Sequence, residues 1–176
     1  MNFSNNELKE LLEIHFFFYL SLLRKLCLSY NQILSIPSKI SNLGCLEILN
    51  LDYNNILSLP NEIEYLKNLV YFNFAGNRLS LLPIEIGKLS SLKVLIVHSN
   101  ELIVLPSEIS KLYNLQILYV SSNKLNDIPS SVSTMINLTS MNISLNIICF
   151  LLDNLGRLSS LESLDISCNI IQVSRV

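Results

Sequence analysis

An asparagine recurs every 23 residues through most of this chain, and this spacing constrains the fold more strongly than any other feature of the sequence. The interval holds without a slip at Asn31, Asn54, Asn77, Asn100, Asn123, Asn146 and Asn169. The prolines keep the same interval, at Pro37, Pro60, Pro83, Pro106 and Pro129. Self-similarity of this kind predicts stacked structural units, each of which buries its apolar face against its neighbours.

Each unit follows the pattern LxxLxLxxNxLxxLPxxIxxL, and each part of it has a physical role. Leucines two residues apart, such as Leu49 and Leu51, predict a short strand that points them inward and Asn50 outward. The chain must then turn away from the strand, which leaves backbone donors and acceptors to be paired inside. An asparagine amide carries both donors and an acceptor, so one side chain can pair both kinds of group. The Leu-Pro step predicts an extended return path, because proline fixes φ and has no N–H.

Composition narrows the class of protein further. The chain has 176 residues, of which 50% are hydrophobic and 15% charged, and its net charge is −2. This balance excludes intrinsic disorder, which requires few apolar residues and many charges. It also disfavours nucleic-acid binding, because no cationic surface is available to neutralise phosphates. The apolar stretch Phe16–Leu23 is too short to span a bilayer, which takes about 20 residues.

These motifs resemble the leucine-rich repeat family over nearly the entire chain. The 23-residue LPxxIxxL variety is similar to that of intracellular Ras-group proteins, such as Scribble-type and Erbin-type scaffolds. The resemblance implies an α/β-type repeat solenoid, shaped like a horseshoe, with a parallel β-sheet on the concave face and irregular or 3-10 segments on the convex face. It also implies a protein partner on the concave face, with a small GTPase or another signalling protein among the candidates.

We expect two regions in the chain. Residues 1–19 are predicted to form an N-terminal cap or helical segment, because Ser4 could cap a helix that has Glu7 three residues later. Residues 20–176 are predicted to form the repeat array, with about seven units and an incomplete last one. Unit six has Leu152 where proline is expected. An uncapped final strand predicts self-association through the C-terminal end of the array.

The outward strand positions place an apolar and aromatic group at the centre of the concave face. This candidate binding patch consists of Tyr71, Val94, Ile96, His98, Ile117 and Tyr119. Aromatic anchors in a weakly charged centre are typical of protein interfaces. The alternative is that strand positions favour aromatic and β-branched residues in any case. The glutamates Glu62, Glu85 and Glu108 recur on the opposite side and are interpreted as a solvated face.

Catalysis is not expected. Asp52, His98 and Ser121 share one column of outward positions, but Asp52 lies two rungs from His98, which is too far for a base and its orienting group. The glycines form no phosphate-binding loop, and His15 and His98 belong to no set of metal ligands. We therefore predict a non-enzymatic protein without a cofactor or a metal.

Cysteine usage and charge favour a cytoplasmic location. The four cysteines are scattered along the sequence, which is typical of free thiols in a reducing compartment. They are Cys27, Cys45, Cys149 and Cys168. Acidic residues precede Phe16–Leu23, where a secretory signal needs positive charge. The predicted function is an intracellular protein-interaction scaffold in signal transduction. Two alternatives stay open: the targeting part of a larger phosphatase or kinase, or an extracellular recognition receptor, for which the sequons at Asn137 and Asn142 would matter.

Overall fold

Seven short parallel strands form one sheet whose spatial order is the order of the chain. The computed structural model describes residues 1–11, 19–151 and 154–172, and within them each strand has three residues. The strands are β1 (Lys25–Cys27), β2 (Ile48–Asn50), β3 (Tyr71–Asn73), β4 (Val94–Ile96), β5 (Ile117–Tyr119), β6 (Ser140–Asn142) and β7 (Ser163–Asp165). Neighbouring strands pair in register at the 23-residue interval, so that Lys25 lies opposite Ile48 and Val94 opposite Ile117.

The alternation of the strands places the leucines in a continuous core. Leu49 and Leu51 are fully buried. The alternating residues Asn50 and Asp52 are half-buried on the concave side. Rung three has phenylalanines at the two core positions, and their rings meet edge to face with centroids 5.0 Å apart. Each rung therefore buries its apolar side chains against the next one, as a single unit could not.

The convex side consists of short 3-10 helices, most of which begin directly after a repeat proline. They span Ser38–Asn42, Asn61–Tyr65, Ile84–Lys88, Ser107–Lys111, Ser130–Thr134 and Leu155–Arg157. Extended backbone at each proline, such as φ −66° and ψ 148° at Pro83, sets the direction in which the turn begins. Each of the first five turns buries one apolar side chain in the core, for example Ile63 and Ile86. The predicted repeat solenoid, with its parallel sheet and 3-10 segments, is confirmed.

The ladder asparagines tie each rung to the preceding one. The Nδ2 group of Asn100 donates to the carbonyl oxygens of Phe74, Val97 and His98 at 3.0–3.2 Å. Its Oδ1 accepts a hydrogen bond from the backbone N–H of Leu79 at 3.0 Å. The same set of bonds recurs from Asn31 to Asn169, so one side chain per unit pairs the backbone groups that the turn leaves inside.

The prediction for the N-terminus is a cap or a helical segment, and the described part of it is not helical. Residues 1–11 contain no helix and instead form an additional rung beside β1. The Phe3 N–H donates to the carbonyl of Cys27, and Asn6 donates to the carbonyls of Phe3 and Ser4 as a ladder asparagine does. The reason is that backbone pairing with the exposed edge of β1 satisfies more groups than an isolated short helix would. Residues 12–18, with His15, lie outside the described residues, as do Leu152 and residues 173–176.

Candidate functional site

The register of the sheet brings the predicted patch residues onto adjacent rungs of the concave face. In the first outward column, Tyr71, Val94 and Ile117 lie opposite one another on β3, β4 and β5. In the second column, Ile96 lies opposite Tyr119. Parallel strands are about 4.8 Å apart, so these side chains are direct neighbours across the sheet.

All six residues of the patch are half-buried, which leaves part of each side chain open to a partner. The Tyr119 hydroxyl lies 3.3 Å from the Ser140 hydroxyl on the next rung. This contact restrains the ring before any partner arrives, so binding at Tyr119 costs less rotamer entropy. The patch is therefore an apolar surface with a polar tip at Tyr119.

Tyr71 has an electrostatic environment that keeps its hydroxyl neutral. Burial raises the pKa of Tyr71, and the negative charge of Asp52 raises it further, against an opposing hydrogen bond from Asn73. Asn73 itself is held in place because its Oδ1 accepts the N–H of Ala75 at 3.1 Å. A neutral phenol can donate one hydrogen bond while its ring contacts an apolar group.

His98 borders the patch in the third outward column. Its Nδ1 lies 3.1 Å from the hydroxyl of Ser99, which is the adjacent residue in the chain. Burial lowers the pKa of His98, although the charge of Asp52 acts in the opposite direction. No hydrogen bond joins His98 to Asp52 or to Ser121 in the part of the chain that the structure describes, so those three residues do not assemble a catalytic triad.

The concave face also contains a depression that the sequence did not single out. It has a volume of about 310 Å³ and is lined by Lys25, Cys27, Ile48, Asn50 and Tyr71. Tyr71 forms its boundary with the patch, so the two features are continuous. The depression depends on which side chains leave space beside Tyr71. The spacing of residues in the sequence does not predict that space.

Two stacked tyrosines are a second feature that the sequence analysis missed. The rings of Tyr30 and Tyr53 are 4.6 Å apart and 14° from parallel, although both residues have positive φ. Gly76 occupies the same position one rung later, and a Cβ there would lie 2.7 Å from the Tyr53 ring. The signal was available, because these residues share the 23-residue interval of the repeat.

Three ion pairs join side chains of neighbouring rungs on the flanks and convex side in the part of the chain that the structure describes. Glu47 accepts a hydrogen bond from Arg24 at 2.7 Å, and Glu101 accepts one from Lys124 at 2.9 Å. Glu64 forms an ion pair with Lys88. Among residues 1–11, 19–151 and 154–172, no group of three or more potential ligands could hold a metal ion. No helix within those same ranges has the length and hydrophobicity that crossing a bilayer requires.

Three stretches of the chain match the family model described as Leucine Rich Repeat, at residues 22–43, 45–66 and 114–135. A leucine-rich repeat protein of Leptospira interrogans is 31% identical with a TM-score of 0.72, over 96% of this chain and 48% of that one. An internalin of Listeria monocytogenes is 25% identical with a TM-score of 0.83, over 98% of this chain and 48% of that one. No curated protein sequence matches the chain.

A plant receptor is similar as well. The leucine-rich repeat ectodomain of the receptor kinase GASSHO1/SCHENGEN3 from Arabidopsis thaliana, in complex with CASPARIAN STRIP INTEGRITY FACTOR 2, is 34% identical with a TM-score of 0.87. The similarity covers 98% of this chain and 21% of that one. The chain thus spans about half or less of the length of each of these structures.

Proposed function

We propose that this chain, which belongs to the leucine-rich repeat family, binds a protein or peptide partner on its concave face. The observation that carries the proposal is the half-buried patch of Tyr71, Val94, Ile96, Ile117 and Tyr119, assembled on three consecutive rungs with His98 beside it. Members of this family are in general binding modules rather than enzymes. An aromatic and aliphatic centre with little charge is the composition that interface cores favour.

The partly exposed apolar area of the patch supports this choice of surface. Covering that area with a partner removes it from water. Ion pairs on the flanks, such as Glu47 with Arg24, are exposed, and pairs of this kind contribute little to binding or stability.

The finer proposal is an intracellular scaffold in signal transduction, located in the cytoplasm. All four cysteines are free, and a reducing compartment keeps thiols in that state. The similarity of the 23-residue repeat to Ras-group scaffolds adds support and makes a small GTPase one candidate partner. The experiment is affinity capture with the full chain from an extract of the cells that make it.

Variants make the capture experiment specific for the concave face. Tyr71→Ala combined with Tyr119→Ala should abolish recovery of the partner while circular dichroism stays unchanged, because the aromatic anchors are lost but the core is intact. Glu85→Ala and Glu108→Ala on the convex side serve as the control and should recover the partner normally. If the tyrosine variant still recovers the partner and the glutamate variants do not, the binding site lies on the convex side.

A second candidate function is recognition of a peptide outside the cell, as part of a larger receptor. The 34% identity to a receptor-kinase ectodomain, whose structure includes a bound factor, favours it, and this chain spans 21% of that protein. The sequons distinguish the two candidates, because Asn137 is exposed and a glycan there would mark secretion. Mass spectrometry of the native protein that finds Asn137 unmodified and the cysteines reduced would favour the intracellular scaffold.

A further inference from the structure

The Asp52 carboxylate lies on the concave face with one oxygen that nothing satisfies. Its Oδ1 is buried and has no hydrogen-bond partner, although the residue as a whole is half-buried. The hydrogen bonds of Asp52 involve its backbone: its N–H donates to Oδ1 of Asn50 at 3.4 Å, and its carbonyl oxygen accepts from the Tyr30 N–H and from Nδ2 of Asn54. Burial of an unpaired acceptor is costly, and the cost is greater for a charged group.

Other acidic side chains of the protein show what Asp52 lacks. Oδ1 of Asp165 accepts the N–H and the hydroxyl of Ser167, at 3.0 and 2.7 Å. Glu101 has Lys124 at 2.9 Å. Neither a hydrogen bond to the Asp52 carboxylate nor a cation within 4.0 Å of it occurs among the residues that the structure describes. The carboxylate therefore depends on its open side for stabilisation.

The residues around Asp52 make that open side a favourable place for a cation. Asp52 is half-buried at the border of the patch, in the same column as His98, from which it is about 10 Å away by strand spacing. The charge of Asp52 acts on the pKa values of both Tyr71 and His98, toward a higher value in each case, and its Oδ1 is withdrawn from water. An ion pair in such an environment is stronger than a fully solvated one.

We infer that Asp52 is the specificity-determining residue of the concave face and receives a lysine or arginine side chain of the bound peptide. The inference rests on the proposed function and adds the chemistry of the partner: a segment with a basic residue next to apolar ones. The basic group pairs with the open side of Asp52, its aliphatic stem lies against Tyr71, and the apolar residues cover Ile96, Ile117 and Tyr119.

The probe is a phage-displayed library of random peptides, selected on the full chain. Wild type should enrich peptides in which a lysine or arginine is fixed near apolar residues. Asp52→Ser should lose that enrichment, and serine is a compatible replacement because Ser29, Ser121, Ser144 and Ser167 occupy this column on other rungs. Asp165→Asn is the matched control, since it removes a concave aspartate that is already paired and should select the same peptides as wild type.

The outcomes separate this inference from the proposed function. If wild type enriches peptides that lack a basic residue, the role of Asp52 is overturned and concave binding is left intact. The same holds if Asp52→Ser enriches the same basic peptides as wild type. No enrichment by wild type would overturn the inference that the face receives a basic peptide side chain, whereas the proposed function is overturned by the outcome of the capture experiment.

A thermal measurement of the free chain tests the unpaired carboxylate without any ligand. Asp52→Ser and Asp52→Asn should each raise Tm, because both remove a half-buried carboxylate whose Oδ1 has no partner. A Tm that stays the same or falls in both variants would overturn the inference.

Discussion

One asparagine per repeat performs the same task on every rung of this solenoid. Its amide donates to carbonyls of its own turn and of the preceding rung, and its oxygen accepts a backbone N–H, as at Asn100. Backbone groups in the bend are buried away from water, so they need partners that a turn cannot supply. The side chain thus replaces the hydrogen bonds that the backbone loses where it leaves the strand.

Replacement of Asn100 by alanine should destabilise the protein. The backbone N–H of Leu79 loses its partner, and one unpaired buried group costs about 1–3 kcal/mol. The carbonyls of Phe74 and Val97 each lose one of two bonds and keep the other, from Asn77 and Asn123. Urea unfolding followed by circular dichroism measures the change, with Asn126→Ala at an exposed position as the control. An unfolding midpoint equal to that of wild type would show that the asparagine bonds do not support the fold.

His98 should make stability depend on pH in a defined direction. Burial lowers its pKa from the ordinary 6.5, so the folded protein binds the proton less readily than the unfolded chain. The contribution of neutral His98 to the free energy of unfolding is therefore present above pH 6.5. It is lost as the pH falls through the lowered pKa that His98 has in the folded protein. Wild type should lose unfolding free energy relative to His98→Gln between about pH 7.5 and about pH 5 in urea titrations. A constant difference between the two proteins would contradict this.

Strands and turns differ in how completely the sequence predicts them. The strand register and the turn positions follow from residues such as Leu49, Asn54 and Pro60, because the interval of the repeat fixes them together. The sequence left a cap and a helical segment open for the N-terminus and did not predict its pairing as a rung, since Asn6 precedes Asn31 by 25 residues and falls outside the regular interval. Its pairing with β1 is a tertiary effect, and the local pattern of Ser4 and Glu7 indicated a helix instead.

Packing between adjacent 3-10 helices should be sensitive to a single methyl group. A Cβ on Gly87 would lie 2.3 Å from the carbonyl oxygen of Glu108 in the next turn, and backbone cannot move as a flexible side chain does. Gly87→Ala should therefore lower the unfolding free energy by about 1–3 kcal/mol. Gly44→Ala is the control, since no atom lies within 4 Å of its added Cβ. Equal stability of the two variants in denaturant titrations would disprove the close approach.

At the scale of the whole molecule, the concave face combines predicted and unpredicted features. Alternation in the strands predicted that Tyr71, Ile96 and Tyr119 would be neighbours. It did not predict the depression beside Tyr71 or the buried oxygen of Asp52, because both depend on the space left between side chains. Periodicity thus determines which residues share a face, whereas the chemistry of the face depends on packing detail.

Self-association through β7 is a further prediction for the 176-residue chain. Leu164 is 39% exposed, whereas Met141 at the same position of the preceding rung is 1% exposed. An open strand edge beside apolar surface recruits other chains, and a net charge of −2 gives little repulsion. Light scattering over a concentration series should show association that Leu164→Lys reduces. A monomer at every concentration would refute it.

The most direct test of concave binding is a comparison of Kd values for the captured partner by isothermal titration calorimetry. Tyr71→Ala and Tyr119→Ala should each weaken binding by about tenfold or more, which corresponds to about 1.4 kcal/mol. Glu85→Ala on the convex side should leave Kd unchanged. A partner that binds both tyrosine variants as tightly as wild type, and binds Glu85→Ala less tightly, would contradict the assignment of the concave patch as the binding site.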